Sequence, residues 1–354
     1  MLRELQSAAR SDLVLPEVVG ERCVHALMEK ASCRACVDAC PHGAWVINDD
    51  MLGIDAGKCD ACDLCVPVCP QGAIEGRFSP SLKAADRDGA AFAACEHAGM
   101  SSHKEGLMPC LHAIGMSDLL QLRRNGTSYL VTSCGDCANC SRGRATRLEQ
   151  RLDEVNRMLL SRGQAPLEHR KLTAVAWIEA LSRVAEIAAA RTLDRRSFFR
   201  NAVKYPKELL DAAIKDVSDP FVPPGMLLEP GSGDALLPFV PLIDAERCNG
   251  CDACVRLCSQ AAILFDGEES ESAELSIHAE RCSGCGICVD VCEQNAVAIE
   301  RLSPEVARRI PLQSESCRVC GADFHVPAAR ANGDALCWVC HRTNHHRNLY
   351  QVLD

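Results

Sequence analysis

Residues 57–75 read GKCDACDLCVPVCPQGAIE, with cysteines at 59, 62, 65 and 69. The order is three cysteines at equal intervals, a fourth after a slightly longer gap, and then a short apolar stretch. The same order returns in ERCNGCDACVRLCSQAAILF from Glu246 and in ERCSGCGICVDVCEQNAVAIE from Glu280. Each copy closes on a strand-like run such as Ala262-Ile263-Leu264-Phe265 or Val297-Ala298-Ile299. A distorted fourth copy runs from Cys23 to Ile47 and ends in CPHGAWVI. The copies fall into two pairs, one near the N-terminus and one between about 244 and 300.

The chain has 354 residues, 25 of them cysteine and only 4% aromatic. Large aromatic side chains carry much of an ordinary core, so other groups must help hold the segments together. A secreted disulfide framework and a reduced, metal-binding chain are the competing readings. The odd count argues against full pairing. The cysteines also sit in runs that suit a compact inorganic centre better than spanning bridges. The opening stretch MLRELQSAARSDLVLPEVVG lacks the apolar run and cleavage site of a secretory signal. These observations predict a cytoplasmic, metal-binding protein.

A cubane cluster takes four thiolates. A C-x2-C-x2-C loop grips one face, and the next cysteine, after three intervening residues, turns to the neighbouring cluster. A zinc reading does not explain the triple spacing. The pattern resembles the bacterial 2[4Fe–4S] ferredoxins, a polyferredoxin-like arrangement, over roughly a third of the chain. That resemblance implies crossed ligation. Cys248, Cys251 and Cys254 would pair with Cys292, and Cys282, Cys285 and Cys288 with Cys258. In the first module Cys59, Cys62 and Cys65 would take Cys40, leaving Cys23, Cys33, Cys36 and Cys69 as the remaining set. About four [4Fe–4S] clusters are expected.

The sequence departs from that family in places. Nine residues separate Cys23 from Cys33, a loop that can still close because its entropy cost grows slowly with length. The usual proline follows Cys40 and Cys69, but Ser259 and Glu293 replace it in the second pair. A carboxylate at 293 would lower the potential of a neighbouring cluster, or simply face water.

Near the C-terminus, CRVCG at Cys317 and CWVCH at Cys337 form two C-x2-C knuckles. Cys317, Cys320, Cys337 and Cys340 match a four-cysteine zinc ribbon, with a rubredoxin-like iron site as the alternative. Five cysteines remain: Cys95, Cys110, Cys134, Cys137 and Cys140. The sequences CEHAG, MPCLHAIG and TSCGDCANC around them resemble the iron–sulfur delta subunit of hydrogenase and heterodisulfide reductase systems. This resemblance implies a further cluster, a [2Fe–2S] centre on Cys95, Cys110 and Cys140 with either Cys134 or Cys137. A second zinc or a redox-active dithiol is the alternative, and His97 and His112 are candidate ligands.

The predicted fold class is α+β and multidomain. A ferredoxin-like 2[4Fe–4S] module spans 1–85, an α/β cysteine-rich domain 86–143 and a helical segment 144–218. A Pro/Gly linker at 219–243 leads to a second 2[4Fe–4S] module at 244–302 and a zinc-ribbon-like end at 303–354. AAFAAC and SYLVTSC read as strands, and SDLLQLRRNG as a helix. Leu148, Leu152, Val155 and Leu159 share one helical face, as do Trp177, Leu181, Val184 and Ala188. Pro206 interrupts a helix or starts a new one. TLDRRSFFRNAV at Thr192 resembles a twin-arginine export motif, but it lies in mid-chain with no apolar region after it. There Phe198, Phe199 and Val203 are expected to pack inward.

No run of apolar residues is long enough to span a membrane. A net charge of -10 argues against nucleic-acid binding, which rests on phosphate neutralisation by Lys and Arg. There is no G-x-G-x-x-G after a strand and no P-loop. The expectation is an electron-transfer protein, not itself an enzyme, serving redox partners or a larger oxidoreductase complex. The alternatives are a thiol/disulfide or persulfide oxidoreductase working at the middle cysteines, and a metal-dependent redox sensor.

Overall fold

In a computed structural model of the chain, the described residues are 15–47, 52–76, 81–83, 89–100, 105–142, 147–192, 221–267, 273–304, 309–330 and 336–343. They form two compact units. The first takes Met1–Cys23, Arg34–Val222 and Leu227–Glu229; the second takes Val24–Cys33, Pro223–Met226 and Pro230–Asp354.

In the first unit, Glu17–Val18 (β1), Trp45–Ile47 (β2), Leu52–Ile54 (β3) and Ile74–Glu75 (β4) make two antiparallel ribbons, β1 with β4 and β2 with β3. Their shared core is Trp45 and Ile74 packed on Cys36 and Cys65, with Cys40 and Cys69 at its edge. Cysteines therefore supply much of the burial that larger side chains would give in an ordinary domain. A segment this small needs such staples.

The same unit carries a larger sheet of Ser81–Lys83 (β5), Gly89–Cys95 (β6), Leu107–Met108 (β7), Thr127–Ser133 (β8) and Glu168–Lys171 (β9). Its order is β5-β6-β8-β9, with β7 also on β6; β6, β8 and β9 run parallel. Parallel strands are covered on both faces, and Ala91 to Ala94 of β6 are accordingly buried without alternation. Met116–Arg124 (α1) connects β6 and β8. Asp118 accepts from the Gly115 N–H at 2.7 Å at its start, and Gly126, at φ 84°, closes it. Arg147–Leu160 (α2) buries Leu148, Leu152, Val155 and Leu159, the face expected from spacing. In Ala174–Thr192 (α3), Trp177 is fully buried, sits edge-on to Phe92 and donates its indole N–H to Val131 O at 3.2 Å.

The expectation of helix throughout 144–218 needs correction. Between α2 and α3 the chain forms β9, whose short polar sequence EHRK pairs with β8 as an edge strand. The twin-arginine-like residues, with Phe198, Phe199 and Val203, and also Pro206, lie outside the described residues.

The second unit contains Leu236–Ile243 (β10), Ile263–Asp266 (β11), Glu274–Ile277 (β12), Val297–Pro304 (β13), Arg309–Ser316 (β14) and Asp323–Pro327 (β15). β10 pairs antiparallel with β13, so part of the stretch expected as a linker is a strand. Pro238 and Pro241 are tolerated because β10 has one ladder partner and is an edge strand. The other strands form one sheet, β11-β12-β14-β15. The hairpin of the C-terminal knuckles is thus continuous with the hairpin between the second pair of cysteine runs. Ser32 joins the same unit, donating its N–H and hydroxyl to the Asp290 carboxylate at 2.7 and 2.8 Å.

Candidate metal centres

The three regular cysteine runs share an unusual backbone. Two residues per loop take left-handed φ: Ala61 and Asp63, Gly250 and Asp252, Gly284 and Gly286. Alternating right- and left-handed residues turns successive N–H groups to one side and forms a concave anion site. A second device follows the fourth cysteine of every copy, including the distorted one. Gly43, Gly72, Ala261 and Asn295 are all left-handed. The next amide then reaches back to sulfur: Ala44 to Cys40 at 3.3 Å, Ala73 to Cys69 at 3.2 Å, Ala262 to Cys258 at 3.2 Å and Ala296 to Cys292 at 3.3 Å.

The thiols group across the copies. Burial, then the neighbouring Cys248, Cys251 and Cys292, pushes the Cys254 thiol up to about 12. Burial likewise pushes Cys282 up to about 12; the Gly284 amide opposes, and Cys285 and Cys258 add to the rise. In the first unit, Cys40, Cys59, Cys62 and Cys65 line one small cavity beneath Trp45 and Ile54. Cys23 lies close enough to Cys69 to raise its thiol pKa further, although burial is the larger cause. Cys36 packs in the apolar cluster that Cys69 borders. Cys33 falls on Val24–Cys33, within the second unit, where its carbonyl faces His25 Nε2 at 2.8 Å.

The C-terminal knuckles are different. Ligand atoms of Cys317, Cys320, Cys337 and Cys340 all lie within 4.8 Å of one another, the spacing of a single-ion site. The first knuckle is the turn between β14 and β15, where the Gly321 amide closes on Cys317 O at 2.8 Å. The second opens the helix Trp338–Thr343. Burial works against ionisation of Cys317, but the amides of Cys320, Cys337 and Val319 hold its pKa down to about 6. Among the described residues no other group of three Cys, His, Asp or Glu ligand atoms is drawn together so tightly.

The five remaining cysteines meet in a cavity of about 300 Å³ at the C-terminal ends of β6, β8 and β9. Gly135 is required there, since a Cβ would sit 2.4 Å from His97 O. His97 and His112 line the cavity as well. Thr132, Arg142, Glu149, His169 and Lys171 line it too, and sequence reasoning missed them. The signal that could have found them is topological, because ligand sites form beyond the carboxyl ends of parallel strands. His112 Nε2 and Glu149 Oε2 are buried here without a partner among the described residues.

Two segments match family models described as 4Fe-4S dicluster domains. These are residues 31–74 and residues 247–296. The first match begins after Cys23, so the irregular member of the set lies outside it. No curated protein matches the chain. The dicluster domains support ferredoxin-like modules and an iron–sulfur electron-transfer role.

The donor set of the dicluster domains fits such clusters. No disulfide joins any of the cysteines, all of which are among the described residues. Burial, and then neighbouring cysteines, raise the thiols of Cys248, Cys254, Cys282 and Cys288, a repulsion that a cationic metal–sulfur core would relieve as the thiols give up protons. The first dicluster domain also touches the middle cavity. Cys62 and Leu64 pack on Cys110, all buried. Arg142 binds Asp60 beside those cysteines, Glu96 beside Cys95, and Pro109 O at 2.7 Å. Among the described residues no helix is long and apolar enough to cross a membrane.

Proposed function

We propose that the chain is an electron relay carrying about four [4Fe–4S] clusters, with a further [2Fe–2S] centre in the middle cavity and zinc in the C-terminal knuckles. The clusters supply one-electron redox chemistry when bound. The residues that would hold them are Cys40, Cys59, Cys62 and Cys65; Cys23, Cys33, Cys36 and Cys69; Cys248, Cys251, Cys254 and Cys292; and Cys258, Cys282, Cys285 and Cys288. The observation that carries the reading is the amide aimed at the fourth cysteine of all four copies. A copy whose first half is distorted keeps this device intact, as a ligand position requires.

The chain's own residues exclude water and donate hydrogen bonds to sulfur. Both effects set how readily a cluster accepts an electron. The role of the middle cysteines rests on their convergence in one cavity and on the resemblance of residues 95–140 to the iron–sulfur delta subunit. Partners would be redox proteins or subunits of an oxidoreductase complex, in a reducing cytoplasmic setting where free thiols persist. No catalytic role is assigned to the chain.

The test is iron, zinc and acid-labile sulfide content of anaerobically purified protein, with EPR after dithionite reduction. About sixteen to eighteen irons, one zinc and interacting reduced-cluster signals are expected. Eight or fewer irons after full reconstitution, with several zincs instead, would overturn the four-cluster reading.

A further inference from the structure

We infer that His112 is a hydrogen-bond donor to the group held by the middle cysteines and not one of its ligands. The inference rests on the reading that this cavity holds a metal–sulfur group.

The ring is 6% exposed and lies on the cavity wall. The Leu148 N–H points at its Nδ1 at 3.3 Å. A nitrogen that accepts this bond keeps its lone pair there, so in the neutral ring the proton sits on Nε2. Nε2–H is therefore a buried donor on a residue of the cavity wall, and among the described residues nothing accepts from it. An unpaired buried donor costs about 1–3 kcal/mol. The cavity's contents are the natural acceptor.

The ring is also held from behind. Arg151 donates to the carbonyls of His112 and Ile114 at 2.7 and 2.9 Å, fixing the peptide that carries it. Cys110, two residues earlier, lines the same cavity. With five thiols around the space, the acceptor is an anionic sulfur, either a thiolate or an inorganic sulfide. A donor aimed at such a sulfur favours the more negative, reduced form and raises its potential. His97 is a poor alternative, because its side chain is 54% exposed and lies beside Glu96.

The experiment compares His112→Phe, which keeps a flat ring and removes the donor, with His112→Gln, which restores an N–H. In both, iron and sulfide content should stay at the parent level. In His112→Phe the one-electron reduction equilibrium of the cavity centre should shift about tenfold toward the oxidised form, equivalent to about 59 mV. His112→Gln should recover most of that shift. In the unaltered protein, pulsed EPR should find a proton coupled to the centre that disappears in deuterated water; this measurement needs no variant. Loss of cavity iron in His112→Phe would make the ring a ligand and overturn the inference. So would an unchanged potential or the absence of the exchangeable proton. If Cys95→Ser combined with Cys140→Ser removes neither iron nor signal, the cavity holds no centre and the underlying reading falls with the inference.

Discussion

His325 of β15 and Asp252 of the cysteine loop at 248–258 lie 2.9 Å apart, ring nitrogen to carboxylate oxygen. The same histidine stacks on Phe265 at 4.8 Å between ring centres. Gly250 lets its loop approach, because a Cβ there would stand 1.9 Å from His325 O. Together with the β12–β14 pairing, these contacts make the knuckle hairpin part of the second dicluster domain's fold.

Gly250→Ala should therefore destabilise both parts at once. The clash with backbone and the left-handed φ of 68° together set a cost of about 1–3 kcal/mol. Anaerobic thermal unfolding, followed by cluster absorbance and by the fluorescence of Trp338, should give coincident transitions at a lowered temperature. Two separated transitions would mean that the hairpin folds independently.

If the knuckles hold a metal as proposed, removing it should speed loss of the proposed cluster from the neighbouring loop. Without an ion, the turn between β14 and β15 loses the constraint that orders it, and β12 loses a firm neighbour. A zinc-selective chelator applied without oxygen should increase the bleaching rate of the second dicluster domain several-fold. An unchanged rate would confine the metal's effect to the knuckles.

Ala261 and Asn295 take left-handed φ of 50° and 48° where the first domain uses Gly43 and Gly72. A side chain there costs about 1–2 kcal/mol, against about 0.5–1 kcal/mol for the extra freedom of glycine in the unfolded chain. Ala261→Gly should then stabilise the second unit by up to about 1 kcal/mol. Gly72→Ala should act in the opposite direction and more strongly, since its Cβ would meet the Phe221 ring at 2.3 Å. Denaturant midpoints under anaerobic conditions read both effects.

How much of this was legible in the sequence depended on the length scale of the signal. The C-x2-C-x2-C-x3-C runs announced their loops because ligand spacing is local. The helix face of Leu148, Leu152, Val155 and Leu159 was legible for the same reason. β9 was not, since EHRK has no apolar alternation and its assignment depends on β8, far away in sequence. In β14 the buried Ile310 and Leu312 alternate with exposed neighbours, a strand signal that is local and short. The five middle cysteines were singled out, yet Lys171 and His169 were not. Only the folded sheet brings the end of β9 to the end of β8.

Arg142 carries a side chain 11% exposed and joins Asp60, Glu96 and Pro109 O. Burial works against ionisation of Asp60, but the Arg142 hydrogen bond lowers its pKa on balance. Arg142→Gln should cost about 1–3 kcal/mol, between the values for an exposed pair and for a fully buried one, because both acids keep some contact with water. Cleavage by protease in native conditions should rise at the 109–115 segment, which packs on the first cysteine loop. An unaltered cleavage pattern would show that the Cys62–Cys110 packing suffices without the guanidinium.

His169 gives the pH dependence a definite sign. Its Nε2 lies 2.8 Å from Thr132 Oγ1, and burial lowers its pKa, with Glu149 opposing and Lys171 reinforcing. In the unfolded chain the group titrates near 6.5, at about the ordinary value. Between that value and the lower folded one, the unfolded state binds more protons, so stability rises with pH across the window. The contribution is complete above about 6.5 and is lost as the solution is acidified, with a slope of at most about 1.4 kcal/mol per pH unit. His112 adds a slope of the same sign, so the informative quantity is the difference between the parent and His169→Gln. Denaturant unfolding at several pH values from about 5 to 7.5 should show a shallower acid decline in the variant. Parallel declines would mean that His169 takes up its proton equally well in the folded and unfolded chains.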